Sequence, residues 1–221
     1  MRCRPLAKTP GLPHGAGSSK PAPAVGSPLR IGVLAIQGGF AAHVKHLGSV
    51  GATGLEVRLP ADLVGIDGLI LPGGESTTIT MGLDQYGLAD PIRELAASGV
   101  PVLGTCAGMI LADRQHLGLI DITTRRNAFG RQLASFEDEI ELAGVGGPPF
   151  TAVFIRAPWV EDLGDGVEVL AEIQGHPVAV RQGNVSAFSF HPELTADDRL
   201  HAWFVDACRS RISPRSVIQP E

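Results

Sequence analysis

Cys106 stands between two glycines in the run Val100-Pro101-Val102-Leu103-Gly104-Thr105-Cys106-Ala107-Gly108-Met109-Ile110-Leu111. A short apolar run leads in, and a helix-compatible apolar run leads out. A small-x-nucleophile-x-small bracket is the pattern of a nucleophile elbow, a strand-to-helix turn too tight for bulky neighbours. The N–H groups that open the following helix would point at the sulfur and favour the thiolate. Such a thiol needs a base. His191 and Glu193 lie in Phe188-Ser189-Phe190-His191-Pro192-Glu193, and residues i and i+2 of an extended chain project to the same side. One imidazole nitrogen can then bond the carboxylate while the other takes the thiol proton. Each piece alone has a plainer reading. A lone cysteine is more often a buried structural residue, and a histidine at a strand end is more often structural. Taken together, the three residues spell a Cys-His-carboxylate relay.

Positioning these groups requires strands that end near one another. Leu29 to Ile36 reads as a buried strand running into Gln37-Gly38-Gly39, followed by a helix over 40–50. Leu55 to Leu59 and Asp67 to Leu71 are further strands, the latter ending in Pro72-Gly73-Gly74-Glu75-Ser76-Thr77-Thr78. A helix over Leu88 to Ser98 precedes the elbow strand at 101–105. Short apolar strands alternating with helices predict a doubly wound α/β sheet. Its ligand crevice forms at the carboxyl ends of the strands, where Gln37, the Gly73–Ser76 loop and Cys106 all fall. The second half reads as strands at Ser135 to Leu142, Thr151 to Arg156, Val167 to Ile173, Pro177 to Arg181 and Val185 to Phe190. Several are antiparallel, with a turn at Gln182-Gly183-Asn184. A helix from about Asp197 to Arg209 closes the domain, with Cys208 in its core face.

Composition narrows the class. A chain of 221 residues can bury one full core. Its net charge of −5 argues against a nucleic-acid binder. Cys3, Cys106 and Cys208 are too scattered for a disulfide framework or a metal-ligand set, which fits a reducing cytosol. No apolar run approaches a membrane span. Residues 1–28 carry six prolines, four glycines and no acid, with Arg2, Arg4, Lys8 and Lys20. They are expected to be a disordered tail or an over-extended start, with a transit segment as the weaker reading. The domain is expected over 29–211, with a flexible tail over 212–221.

Gly104-Thr105-Cys106-Ala107-Gly108 with His191-Pro192-Glu193 resembles the class I, triad-type glutamine amidotransferases. The resemblance narrows on four more segments. Pro72 to Thr78, Arg126-Asn127-Ala128-Phe129-Gly130-Arg131-Gln132, Ser135-Phe136-Glu137 and Phe154-Ile155-Arg156-Ala157-Pro158 are similar to the glutaminase subunit of pyridoxal 5′-phosphate synthases. It runs from about Ile31 to Cys208. It implies a flavodoxin-like, doubly wound mixed sheet and hydrolysis of L-glutamine to glutamate and ammonia. Cys106 would be the nucleophile, His191 the base and Glu193 the orienter. The oxyanion hole would map to the backbone N–H groups of Gly74 and Ala107. Glutamine contacts would map to Gly74, Glu75, Ser76, Arg126, Ile155 and Arg156, an arginine suiting the α-carboxylate. The implied partner is a (β/α)8 barrel subunit in a large mixed ring that uses the ammonia to make pyridoxal 5′-phosphate. No cofactor or metal is implied.

Plainer readings stand beside these. Gly73-Gly74 suits a simple turn and Thr77-Thr78 a simple helix start. Arg125, Arg126 and Arg131 suit a solvated cluster, whereas a charge at Arg156, ending an apolar strand, suits a functional role. His43 and His46 share a helix face and, lacking a third ligand, read as surface or partner-facing. His14, His116, His176 and His201 have no supporting constellation. The segment between Gly108 and Arg126 is shorter than the family pattern by roughly a dozen residues, where a helix of about three turns would cover the sheet. The elbow helix is therefore expected to be cut short. Competing functions are a glutaminase of another pathway, such as imidazole glycerol phosphate synthesis, a catalytically silent binding subunit, and a cysteine peptidase on a similar elbow.

Overall fold

The computed structural model describes residues 28–130 and 135–212. The expected N-terminal tail, except Pro28, and the C-terminal tail, except Ile212, lie outside these residues, as do Arg131 and Gln132.

The apolar runs form the strands of one seven-stranded sheet. These are β1 (Arg30–Leu34), β2 (Thr53–Val57), β3 (Gly68–Leu71), β4 (Val102–Thr105), β9 (Glu168–Ile173), β10 (His176–Gln182) and β11 (Val185–Phe188). Their order is β2-β1-β3-β4-β11-β10-β9. The first five run parallel, and β10 and β9 continue antiparallel. The central strands β3, β4 and β11 are buried at every residue, because helices cover both faces. Helices α1 (Phe40–Ser49) and α5 (Arg199–Ile212) pack on one face with Leu47, Leu200 and Phe204. Helices α2 (Ser76–Gln85), α3 (Ala89–Ala97) and α4 (Ala107–Ala112) pack on the other with Ile79, Leu83, Ile92 and Met109. The doubly wound mixed sheet is thus present as expected.

Two small antiparallel pairs flank the sheet. β6 (Ser135–Ile140) pairs with β7 (Phe150–Ile155), and β5 (Ile122–Arg125) pairs with β8 (Trp159–Leu163). Phe136 and Phe154 stack across β6 and β7 with centroids 4.7 Å apart, which holds the end of β7 against the core.

Some boundaries and elements differ from expectation. β2 begins two residues before Leu55 and ends at Val57, and the closing helix runs from Arg199 to Ile212. The sequence marks only a helix start at Thr77-Thr78 for α2 and gives no signal for β5 and β8. Three threonines and Gly82 blur the helical signal of α2, yet tertiary packing holds it: a Cβ on Gly82 would meet Ile36 Cγ2 at 2.6 Å. β5 and β8 carry too few apolar residues to stand out in sequence.

Candidate functional site

The elbow is built by close backbone approach. Cys106 sits at φ 48°, ψ −106°, between the end of β4 and the start of α4. A Cβ on Gly104 would lie 2.6 Å from Gly108 O, and one on Gly108 would lie 1.9 Å from Leu71 O. Real Cβ atoms do not approach backbone oxygen so closely, so both bracketing positions require glycine. Gly73, at the end of β3, is equally confined: its Cβ would meet His191 Cε1 at 2.4 Å and Cys106 Cβ at 3.2 Å. Three strand ends therefore converge on one point because side chains are missing where they meet.

α4 has only six residues, all buried, which agrees with the short segment after Gly108. Its end is closed by the loop that follows. Leu117 N–H donates to Leu111 O at 2.9 Å, and Leu119 N–H donates to Ala112 O at 2.9 Å. The Asp113 carboxylate, 1% exposed, accepts from Gln115 N, His116 Nδ1 and Thr124 Oγ1 at 2.9, 2.7 and 2.6 Å. Arg93 of α3 donates to Leu117 O and His116 O, each at 3.0 Å. His116, without a constellation in the sequence, is part of this brace. The loop satisfies helix-end carbonyls that a longer helix would satisfy itself.

A cavity of about 240 Å³ opens above the elbow, lined by Cys106, Ala107, His191, Gly74, Glu75, Ser76, Arg126, Ile155 and Arg156 together with Gln37, Ile110 and Asn127. The structure thus brings together every expected site residue except Glu193. That residue lies behind His191, in the 3-10 turn Pro192–Leu194. Its Oε1 is 2.8 Å from His191 Nδ1, and the residue is 6% exposed. His191 N–H donates to Val153 O at 2.9 Å, which ties the base to β7.

Burial works against a charge on His191, but hydrogen bonding to Cys106 and Glu193 outweighs it and raises its pKa to about 10. Burial likewise opposes the charge on Glu193, yet the hydrogen bond to His191 and then the nearby His43 hold its pKa well below the usual carboxylate range. The Cys106 sulfur also lies 3.9 Å from Ile155 O.

Glu75 organises the opposite wall. Its carboxylate caps α2, accepting from Thr78 N at 2.8 Å, Thr78 Oγ1 at 2.9 Å and Thr77 N at 3.2 Å. These bonds lower its pKa to about 2. Arg126 Nη2 donates to Glu75 Oε1 at 3.1 Å, so the arginine is held to the wall rather than free in a basic cluster. Glu75 N–H donates to Gln37 Oε1 at 2.7 Å. Arg156, at φ 45°, and Asn127, at φ 48°, occupy the left-handed region at the rim. Such strain in residues other than glycine concentrates at functional sites. Asn127 carried no separate sequence signal beyond its place next to Arg126.

One expectation is overturned. His43 is not on the surface but fully buried, with Nε2 3.3 Å from Glu193 Oε2 and 3.2 Å from Thr105 Oγ1. His201, which had no constellation in the sequence, is also fully buried, and its Nε2 is 2.9 Å from His43 Nδ1. A 3.6-residue period could have placed His43 with Leu47 on the core face. His46, Asp198 and His201 put three ligand-type atoms within 4.8 Å of one another. The His46 and His201 rings, however, are stacked 9° from parallel, and His46 pairs with Asp198. Parallel rings keep their lone pairs in separate planes, so the arrangement is a hydrogen-bonded His46–Asp198 pair capped by a stack.

The profile of the SNO glutamine amidotransferase family matches residues 33–210. The chain belongs to that family. Among family relatives, "Pyridoxal 5'-phosphate synthase subunit PdxT" of Frankia alni is 53% identical over 195 residues, 84% of this chain and 98% of the relative. The protein of the same name from Mycobacteroides abscessus is 54% identical over 193 residues, 83% of this chain and 99% of the relative. A solved structure described as a glutamine amidotransferase is 45% identical, with a TM-score of 0.76 over 81% of this chain and 98% of its own. The solved PurLQS of Thermotoga maritima, 17% identical with a TM-score of 0.59 over 84% of this chain and 97% of its own, shares the fold. Among the described residues, no helix is long and apolar enough to cross a membrane.

Proposed function

We propose that this family member is the glutaminase subunit of a pyridoxal 5′-phosphate synthase and works in the cytosol. One observation carries the reading. Cys106 and His191 stand at the wall of a cavity lined by arginines and glycine-rich backbone, and Glu193 backs His191 at 2.8 Å from its Nδ1. Cys106 attacks the side-chain carbonyl carbon of L-glutamine. His191 takes the thiol proton, and its raised pKa favours holding it. The same imidazole then protonates the departing nitrogen, releasing ammonia and leaving a glutamyl thioester. Water adds to the thioester, its proton passes through His191, and glutamate leaves with the thiol restored. Glu193 keeps Nδ1 protonated and aimed, and it stabilises the imidazolium.

The Gly74 and Ala107 N–H groups receive the oxyanion. Arg126 and Arg156 face the α-carboxylate, with Glu75, Ser76 and Ile155 completing the glutamine contacts. The relatives named as synthase subunits support a partner, a barrel subunit that consumes the ammonia within a hetero-oligomer. Ammonia set free in water would be protonated and lost as a nucleophile, so turnover is expected to be weak alone and to rise on docking. Ammonia release from glutamine, measured with and without the synthase subunit for wild type and Cys106→Ala, tests the proposal. Activity in Cys106→Ala would overturn the assignment of the nucleophile. Equal wild-type rates in both conditions would overturn the dependence on docking.

A further inference from the structure

The geometry points to His43 as a positioning residue that acts on the relay through Glu193. This inference rests on the reading of Cys106, His191 and Glu193 given above. The Glu193 carboxylate has two different surroundings. Oε1 meets His191 Nδ1 at 2.8 Å. Oε2 is buried without a hydrogen bond, and the polar atom facing it is His43 Nε2 at 3.3 Å. An ionised oxygen so placed is costly unless a positive edge faces it. His43 supplies that edge from α1 and at the same time reaches Thr105 Oγ1, next in sequence to the nucleophile, at 3.2 Å. One buried ring therefore spans the gap between the nucleophile's strand and the turn that carries the orienter.

The tautomer of His43 follows from its neighbours. A bare Nε2 would point its lone pair at a carboxylate, so Nε2 must carry the hydrogen. Nδ1 is then an acceptor, and His201 Nε2, 2.9 Å away, must donate to it. His201 Nδ1 is left as a lone pair, and this atom is indeed buried without a hydrogen-bond partner. A bare acceptor is a less costly orphan than a bare N–H. The titratable groups around His43 are Glu193 in the 3-10 turn and His201 from α5. His46 and Asp198 lie behind His201. Burial pushes the His201 pKa down to about 3, which keeps it neutral and able to hold His43 in one tautomer. The carboxylate is thus clamped from both sides, by His191 on the cavity side and by His43 from within the fold.

Two side chains of similar bulk separate positioning from mere packing. His43→Gln places an amide N–H near the position of Nε2, whereas His43→Asn places it near Nδ1 and leaves Oε2 unfaced. Both are assayed for ammonia release with the synthase subunit present, alongside thermal melts of the free chain. His43→Gln is expected to keep kcat within about threefold, and His43→Asn to lose roughly tenfold in kcat with KM within about twofold. Repeating the pair in a Glu193→Gln background provides the coupling readout. There, the Asn variant should add less than about a twofold further loss, because the group it acts through is already gone.

Equal kcat values for the two variants would overturn the inference. So would a tenfold loss that persists in the Glu193→Gln background, or a change confined to KM. Should either variant fail to melt cooperatively, His201→Phe provides the second route. It frees the His43 tautomer without touching Glu193 and is expected to lower kcat with the same loss of effect in Glu193→Gln; an additive loss there overturns the inference. If the wild type releases no ammonia with the synthase present, the functional reading falls and this inference falls with it. If the wild type turns over and the Gln and Asn variants match, only the role of His43 falls.

Discussion

Replacing Glu193 by glutamine keeps the side chain's shape and removes its charge. Among the described residues two polar atoms face the carboxylate, His191 Nδ1 at 2.8 Å and His43 Nε2 at 3.3 Å, and in the tautomers argued above both carry a hydrogen. An amide satisfies one of them at most. If its oxygen faces His191, its NH2 faces the His43 N–H; if it flips, two donors meet at His191. Loss of a charge-assisted bond is worth about 1.5–3 kcal/mol, and leaving a buried donor unpaired is worth about 1–3 kcal/mol. The two together come to about 4 kcal/mol, and at about 1.4 kcal/mol per decade this predicts a kcat loss of roughly 10³-fold. Glu193 does not line the cavity, so KM should stay within about twofold.

The pH profile supplies an independent check. The His191 pKa is raised from 6.5 to about 10. Its pairing therefore stabilises the fold fully below about pH 6.5, and that contribution disappears as pH rises through about 10. Without the carboxylate, the alkaline limb of kcat should move toward lower pH. The assay is steady-state ammonia release across pH 6–10.5 with the synthase subunit present. A loss below about fivefold, an alkaline limb that stays put, or a loss carried by KM would refute the relay geometry.

Four further outcomes follow from the same structure. Gly108→Ala drives a Cβ to within 1.9 Å of Leu71 O; the urea midpoint should fall by the equivalent of about 3 kcal/mol, at the upper end of overpacking costs. Glu75→Ala removes the cap of α2 and releases Arg126, so the melting temperature should fall and KM for glutamine should rise roughly tenfold. In the wild type, the Glu75 pKa of about 2 keeps the cap's contribution intact above about pH 4.5 and lets it fade only as pH falls through about 2, so KM should not vary between pH 5 and 7. Burial, then the nearby Asp67, pushes the Cys208 thiol up to about 12; of Cys106 and Cys208, a glutamine-derived electrophile should label only Cys106 in the native protein, read by peptide mass spectrometry.

Much of the site is legible in the sequence. The glycine bracket of Cys106 and the i, i+2 spacing of His191 and Glu193 are local signals, because a tight turn and an extended tripeptide each determine geometry within a few residues. The alternation of apolar runs with helical segments was enough to foresee the doubly wound sheet. Gly74 to Ser76, Arg126 and Arg156 were legible by resemblance rather than by spacing. Thr77-Thr78 suits a helix start, but the extent of α2 to Gln85 is not legible, since its threonines and Gly82 blur the helical signal until packed on Ile36.

What tertiary structure alone decided is distance between parts far apart in the chain. His43 and Glu193 are separated by 150 residues, and only the packing of α1 against the turn after β11 makes them neighbours. The same holds for His201, a polar residue without a motif until α5 places its Nε2 on His43. Arg126, legible as a cation, became a fixed wall of the cavity only through Glu75. Sequence by itself determined which groups could react and in what order a proton would move between them. The fold decided which buried side chains hold those groups in place, because burial, tautomer and contact across a sheet depend on elements that the chain brings together only when folded.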